Sequence, residues 1–190
     1  MMKKLSVIVA ACVAFAAPVA RAQDAAPRQL HVAPLVGAYV PTGDQRDDLE
    51  DALLVGLQLS YDVHPYVAVV GTFGWAPTEV KGLAEDLDLF QYDLGVQGQY
   101  PVALSNGVTL KPFVGAGLGA RTYSFRDLDD VDAETDLAGY FSAGGAVLYR
   151  GVEVALTARD YLTDFDGVGA EGDSSTRNDL SLFASVGYAF

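Results

Sequence analysis

The sequence is poor in the residues that build covalent or metal-centred sites. It contains one cysteine, Cys12, so no disulfide bond can form within the chain, and only two histidines, His31 and His64. No Cys or His cluster has metal-ligand spacing. Basic residues are scarce too, with 12 Lys and Arg against 25 Asp and Glu. The formal net charge of −13 argues against a nucleic-acid partner, which needs a basic face.

Long apolar runs are also missing from most of the chain. After Leu5–Ala17, no run approaches the roughly 20 residues that a membrane-spanning helix needs. In a bilayer every backbone polar group must find a partner inside the protein, so only helices and closed barrels can span it. If the protein is a membrane protein, it must therefore be a closed β-barrel.

The first residues indicate a cleaved signal peptide. Lys3 and Lys4 form a basic region, Leu5–Ala17 is an apolar core, and Ala20-Arg21-Ala22 fits a small-x-small cleavage pattern. Cleavage there removes Cys12. A less favoured alternative treats residues 9–12 as a lipoprotein box with Cys12 as the lipid attachment site. The expected division is a signal peptide over residues 1–22, a short periplasmic leader over residues 23–29 and a barrel domain over residues 30–190.

Eight later segments carry the alternation of period two that is typical of β-strands with one apolar face. In the clearest of them, Tyr92, Leu94 and Val96 share one face, while Asp93 and Gln97 share the other. Most are about ten residues long, the length that a tilted strand needs to cross a bilayer. The facing of the first and sixth segments stays open. The predicted strands are Leu30–Val40, Ala52–Asp62, Tyr66–Ala76, Leu89–Tyr100, Val108–Tyr123, Leu137–Tyr149, Val152–Leu162 and Leu180–Phe190.

The connections alternate in length. Short ones are expected over residues 63–65, 101–107 and 150–151, and long polar ones over residues 41–51, 77–88, 125–136 and 163–178. Short periplasmic turns and long extracellular loops are typical of transmembrane barrels, which places both termini on the periplasmic side. Aromatic girdles are expected at both interfaces. Their predicted members are Tyr61, Tyr66, Tyr100, Tyr149 and Phe190 at the turn end, and Trp75, Phe90, Tyr92, Tyr123 and Tyr161 towards the loop end.

Charged residues within the strands fall opposite the apolar stripes. A soluble, secreted, lipocalin-like barrel is the alternative fold, and it would turn its apolar face inward around a ligand. Charges that face one another inside a membrane barrel can pair, which favours the membrane barrel. The predicted interior charges are Asp62, Asp93, Lys111, Arg121, Glu153 and Arg159.

The last predicted strand ends on two alternating aromatic residues, Tyr188 and Phe190. Together with the strand pattern, this ending resembles the small bacterial outer-membrane barrels of the OmpA/OmpX type, whose terminal Phe and preceding Tyr are read by the barrel-assembly machinery. The resemblance implies an all-β, eight-stranded antiparallel up-and-down transmembrane barrel in the bacterial outer membrane. It also implies that Tyr188 and Phe190 are the assembly signal, with outer-membrane lipid and the assembly machinery as partners. We expect a monomer, and no peptidoglycan-binding domain after the barrel.

Catalytic parts are not evident in this pattern. Barrel enzymes of similar architecture use a His near the loop end, whereas His31 and His64 are both predicted at the turn end, as surface or interfacial residues. Ser174 and Ser175 in the last loop have no His to activate them. We therefore expect no enzyme and no cofactor. A structural or surface-interaction protein is favoured, with a small gated pore as the alternative and a soluble ligand-binding barrel as the less favoured one.

The four long connections are strongly acidic, with nineteen Asp and Glu against four Lys and Arg. Such charge keeps a rim solvated, and it can also bind divalent cations or a basic partner. The connection over residues 125–136 has the densest set of oxygen ligands suited to Ca²⁺ or Mg²⁺. It lacks the Gly and terminal Glu of a helix-loop-helix calcium site. The candidate metal ligands are Asp127, Asp129, Asp130, Asp132, Glu134 and Asp136.

Overall fold

A computed structural model describes residues 29–42, 50–80, 85–125, 134–165 and 175–190. The predicted signal peptide lies outside these residues. Within them, eight long antiparallel strands are joined in chain order, and the last pairs with the first to close a barrel. The predicted eight-stranded up-and-down architecture is confirmed. The strands are β1 (Leu30–Pro41), β2 (Ala52–His64), β3 (Val67–Val80), β4 (Glu85–Gln99), β5 (Val108–Phe125), β6 (Glu134–Tyr149), β7 (Val152–Phe165) and β8 (Ser175–Ala189).

The turn-end connections are short. Arg150 and Gly151 link β6 to β7 with positive φ angles of 52° and 85°, the conformation that a two-residue hairpin turn requires. The connection from β4 to β5 contains the two-residue segment Val102–Ala103, which pairs with β5. Among the described residues, no helix is long and apolar enough to cross a membrane.

The strands are longer than predicted at the loop end. They contain between 12 and 18 residues, and the ladder between β3 and β4 runs on from Ala76↔Leu89 to Val80↔Glu85. The prediction was wrong there because it followed the apolar alternation, which stops where the sequence becomes polar. Backbone hydrogen bonds do not depend on side-chain polarity, so the ladder continues beyond the apolar band. Part of each of the last three predicted long loops is therefore strand.

The apolar stripes face outward. Leu94, Val96, Leu118 and Leu156 are 63%, 55%, 75% and 67% exposed, whereas Asp93 is 7% exposed. A soluble barrel would bury these residues around a ligand, so the lipocalin-like alternative is wrong. The sequence left the facing of the first and sixth strands open. In the structure, β1 turns Val36 outward, and β6 turns outward Leu137, Phe141, Val147 and Tyr149.

Two members of the predicted loop-end girdle are misplaced. Tyr123 and Tyr161 are 7% and 1% exposed and lie inside the barrel. Each shares the inward parity of a buried arginine two residues earlier, Arg121 on β5 and Arg159 on β7. The hydroxyl group of Tyr161 points into the lumen, where it donates a hydrogen bond to Asp93 of β4.

We expect Val96→Arg to lower the free energy of unfolding by about 2–4 kcal/mol, because Val96 lies in the middle of the outward apolar stripe from Tyr92 to Tyr100, where a charge must sit in hydrocarbon. Urea unfolding of the barrel refolded in lipid vesicles measures this cost. Leu104→Arg is the matched control, because Leu104 is 46% exposed in a turn-end connection. Equal costs at the two positions would contradict the assignment of the outer face to lipid.

Candidate functional site

The polar interior is the candidate site, and its lowest level lies at the turn end. His31 is 3% exposed there, with Nε2 3.3 Å from Oδ2 of Asp62 and Nδ1 3.4 Å from Oε2 of Glu153. Lys111 forms an ion pair with Glu153, and Gln99 Nε2 donates a hydrogen bond to Asp62 Oδ1 at 3.0 Å. These side chains come from β1, β2, β7, β5 and β4. The level therefore links five of the eight strands across the lumen.

The middle level is centred on one arginine. Arg159 Nη1 donates to Asp93 Oδ1 at 2.6 Å and to Thr72 Oγ1 at 3.1 Å. The hydroxyl of Tyr161 donates to the other carboxylate oxygen of Asp93, also at 2.6 Å. The guanidinium carbon lies 4.3 Å from the ring centroid of Tyr140, a cation–π contact. The side chains of Arg159 and Asp93 are 2% and 0% exposed, so both charges are removed from solvent and pair with each other.

The loop-end level holds a second arginine. Arg121 and Asp179 form an ion pair in which both side chains are 0% exposed. The guanidinium carbon of Arg121 lies 4.1 Å from the ring centroid of Tyr161 and 5.4 Å from that of Tyr39. Tyr161 therefore contacts both arginines, because its ring lies against Arg121 and its hydroxyl oxygen accepts a hydrogen bond from Arg159 Nη1 at 3.3 Å. The middle level and the loop-end level therefore form one continuous network of contacts.

An apolar cluster fills much of the remaining interior. Its members are buried residues on inward-facing positions, and Tyr39, Leu54 and Leu89 are 0% exposed. These packed side chains occupy the lumen beside the charged levels. The cluster consists of Leu35, Tyr39, Ala52, Leu54, Ala76, Leu87, Leu89, Tyr123 and Phe183.

The structure brings the six predicted interior charges to inward positions, where they belong to the three levels described above. Sequence reasoning missed Asp179, because the last strand was expected to begin one residue later, at Leu180. Extending the period-two alternation back by one residue would have predicted its inward position, since Asp179 shares the face of Ser181 and Phe183. The prediction that His31 is a surface or interfacial residue was wrong. Its inward parity in β1 places the imidazole between two carboxylates.

Of the six predicted metal ligands, the structure describes only Glu134 and Asp136. Asp127, Asp129, Asp130 and Asp132 lie outside the described residues, so that site stays a prediction. Asp136 was expected in the loop, but it lies in β6, with inward parity and paired in register with Arg121. Glu134 is the first residue of the same strand. Within the described ranges, no group of three or more His, Cys, Asp or Glu is arranged to hold a metal ion.

The predicted assembly signal lies on the outer face at the turn end. Tyr188 and Phe190 are 48% and 71% exposed, and their ring centroids are 5.1 Å apart in an edge-on arrangement. The backbone N–H of Phe190 donates to the carbonyl of Leu30 at 2.9 Å, and the reciprocal bond is 3.3 Å long. The last residue of the chain therefore pairs with the first residue of β1.

A closed barrel with an apolar outer face and a charged, filled interior defines an integral membrane barrel. The sequence matches the family model of the outer membrane protein beta-barrel domain over residues 7–190. The chain therefore belongs to this family, and the protein is a bacterial outer-membrane protein. A search of curated proteins finds no match.

Solved structures share this fold. Neisserial surface protein A is 15% identical, with a TM-score of 0.59 over 87% of this chain and 99% of that one. The N-terminal barrel domain of Pseudomonas aeruginosa OprF is 14% identical, with a TM-score of 0.53 over 84% and 97%. OprG from the same organism is 15% identical, with a TM-score of 0.53 over 86% and 96%. At these identities the likeness shows the fold alone.

Arg159→Met should lower the free energy of unfolding by about 3–5 kcal/mol, because it leaves the Asp93 carboxylate buried without its cation. Adding Asp93→Leu should restore part of the loss, so that the double variant is more stable than the sum of the single changes predicts. Urea unfolding in lipid vesicles gives all three values.

Arg150→Met is the matched control, because Arg150 is exposed in the β6–β7 turn. It should change the free energy of unfolding by no more than about 0.5 kcal/mol. If Arg159→Met were as mild as this control, the middle level would not hold the barrel together.

Proposed function

We propose that the protein is a closed, non-conducting outer-membrane barrel with a structural and surface-interaction role in the cell envelope. The observation that carries the first part is the filled interior. Arg121, Tyr39, Tyr161, Leu54 and Leu89 are among the largest side chains buried to less than 2% exposure. Eight strands enclose a space just wide enough for side chains to fill, and these residues fill it.

The pairing inside the barrel opposes the alternative of a gated pore. Opening a path would require Arg159 to leave Asp93, and Arg121 to leave Asp179, in a space with little water. Separating a buried pair leaves two uncompensated charges, which is strongly unfavourable. The apolar cluster adds a second obstacle, because a narrow apolar constriction excludes water and ions. The contacts inside the barrel therefore favour side chains that block the lumen and hold the strands together over a gated pore.

The histidine contacts support a role without catalysis. His31 faces the carboxylates of Asp62 and Glu153, and neither is a hydroxyl or thiol nucleophile that it could activate. His64 lies at the β2–β3 turn, where its Nδ1 accepts a hydrogen bond from the backbone N–H of Tyr66 at 3.3 Å. Neither arrangement is that of a catalytic base next to a hydroxyl or thiol group.

The acidic connections support the surface-interaction part. The connections between the long strands at the loop end still hold twelve Asp and Glu against three basic residues, Arg46, Lys81 and Arg126, so their negative charges are not neutralised within the loops and repel each other. A divalent cation relieves this repulsion better than monovalent salt because one ion can bridge two carboxylates. The phosphorylated lipids of an outer leaflet need the same ions. Shared Ca²⁺ or Mg²⁺ would therefore tie the rim to the lipid surface, or to another anionic partner.

Purified wild-type protein in planar lipid bilayers should show no steady single-channel openings, because the three charged levels and the apolar cluster block the lumen. An open porin prepared in the same detergent is the positive control for incorporation. Uniform, reproducible openings from the wild-type protein would contradict the closed barrel and favour the gated pore.

Ca²⁺ should protect the segment over residues 125–136 from proteolysis at constant ionic strength, and the triple change Asp130→Asn, Asp132→Asn and Glu134→Gln should abolish that protection. Limited proteolysis followed by mass spectrometry reads out the cleavage sites. The matched control removes three acids from the first long connection instead, by Asp44→Asn, Asp47→Asn and Asp48→Asn. Equal protection by Na⁺ at the same ionic strength would show that Ca²⁺ acts only by screening the loop charges and does not bind to them.

A further inference from the structure

One acidic residue points away from the lumen, into the apolar outer face of the barrel. Asp160 lies in β7 between two outward apolar residues, Ala158 and Leu162. Its partners in register are Phe141 of β6 and Leu180 of β8. Among the charged residues of the described strands, it alone has an apolar outward residue on each side of it in its own strand. The side chains around this carboxylate on the outer face are therefore all apolar.

The carboxylate of Asp160 has no partner of its own. It forms no hydrogen bond and no ion pair with any residue that the structure describes. The field of Arg121 reaches it through the wall, but that guanidinium lies on the inner face and is paired with Asp179. Ionisable residues that face lipid are costly, and where they occur they mark functional positions. A cationic group from outside the chain would therefore be stabilised at Asp160.

A groove on the outer face begins next to Asp160, on its turn-end side. It has a volume of about 510 Å³ and crosses β6, β7 and β8. Sites for small molecules typically measure about 300–1,000 Å³. Four of its six outward residues are Gly or Ala, so the wall is thin there and larger side chains stand on either side. The outward residues that line the groove are Ala143, Gly145, Leu156, Ala158, Leu182 and Ala184.

We propose that Asp160 and this groove together bind one outer-leaflet lipid that carries a primary ammonium headgroup. The ammonium group pairs with the Asp160 carboxylate, and an acyl chain lies in the groove. The polarity of the site carries the orientation. The loop end of such a barrel faces the cell exterior, so a lipid of the outer leaflet has its headgroup towards the loops and its chains towards the turns. Asp160 and the groove follow each other in the same order.

Charge selects the headgroup. A primary ammonium group brings a positive charge and three N–H donors to a carboxylate that only accepts hydrogen bonds. Such charge-assisted bonds are the stronger ones, whereas an anionic headgroup would be repelled. A second copy of this chain fits the site less well, because Lys111, Arg121 and Arg159 lie inside the lumen and Arg150 lies at the turn end. This inference goes beyond the proposed function, since it needs neither the acidic connections nor a divalent cation.

Native mass spectrometry of the purified protein in detergent tests the headgroup. The probes are phosphatidylethanolamine and phosphatidylglycerol with identical acyl chains. The wild type should retain one phosphatidylethanolamine per barrel, and Asp160→Asn should bind it about tenfold more weakly or worse, because a charge-assisted hydrogen bond is lost. Asp88→Asn is the matched control and should bind as the wild type does. Asp88 is an outward carboxylate of β4 that accepts a hydrogen bond from Trp75 Nε1 at 2.9 Å.

A second pair of variants tests the groove without changing any charge. A Cβ atom on Gly145 would meet no heavy atom within 4 Å, so Gly145→Leu fills the groove without a clash. It should weaken the binding of phosphatidylethanolamine about tenfold while thermal unfolding in detergent stays as in the wild type. Gly98→Leu is the matched control on the outer face of β4, where only the carbonyl oxygen of Val114 lies within 4 Å of the added atom.

Three results would overturn the proposal. The first is equal binding of the two lipids by the wild type, and the second is wild-type affinity in either Asp160→Asn or Gly145→Leu. The third is a dimer without lipid that Gly145→Leu dissociates, which would assign the groove to a second copy of the chain.

Discussion

The pairing of charges inside a narrow, closed lumen is the constraint on which the rest of the structure depends. A barrel that turns its apolar residues to lipid must place its polar residues inside, and eight strands leave no room there for bulk water. Each interior charge therefore needs a partner from another strand. Arg159 of β7 meets Asp93 of β4, and Arg121 of β5 meets Asp179 of β8. These pairs link strands that are not neighbours in the wall.

Aromatic rings and glycines make that arrangement fit. Tyr140 packs its ring on the guanidinium of Arg159, and its side chain lies directly over Gly95 and Gly117. A Cβ atom at either glycine would come within 3 Å of Tyr140 and of the neighbouring backbone. The absence of a side chain at these two positions therefore creates the space for Tyr140. In the same narrow lumen, the single side chain of Tyr161 contacts both Arg121 and Arg159.

Period-two alternation made the wall predictable from the sequence, because lipid outside and polar groups inside impose opposite chemistry on successive residues. The faces of β2, β4 and β5 follow from it directly. The strand ends do not, because the ladder continues into polar sequence where alternation gives no signal. Asp179 was missed for this reason. Tyr123 and His31 were misplaced for another reason, since their amphipathic side chains suit an interface as well as an interior, and only the parity of the strand distinguishes the two.

The loops and the interior contribute to function in different ways. In the interior, paired charges and packed side chains join the strands of the wall. In the proposed function the acidic connections supply the charge for surface interaction, and their composition supports that role. The proposed function therefore assigns stability to the interior and interaction to the loops.

The most direct test of this account is a distance measured inside the barrel in a lipid bilayer. Solid-state NMR with ¹⁵N-labelled arginine and ¹³C-labelled aspartate can report the contact between the guanidinium of Arg159 and the carboxylate of Asp93. The account predicts a direct hydrogen bond, with the nitrogen and oxygen atoms 2.6 Å apart. A separation beyond about 4 Å, with water between the two groups, would show that the lumen is hydrated and that the charges do not fasten the wall.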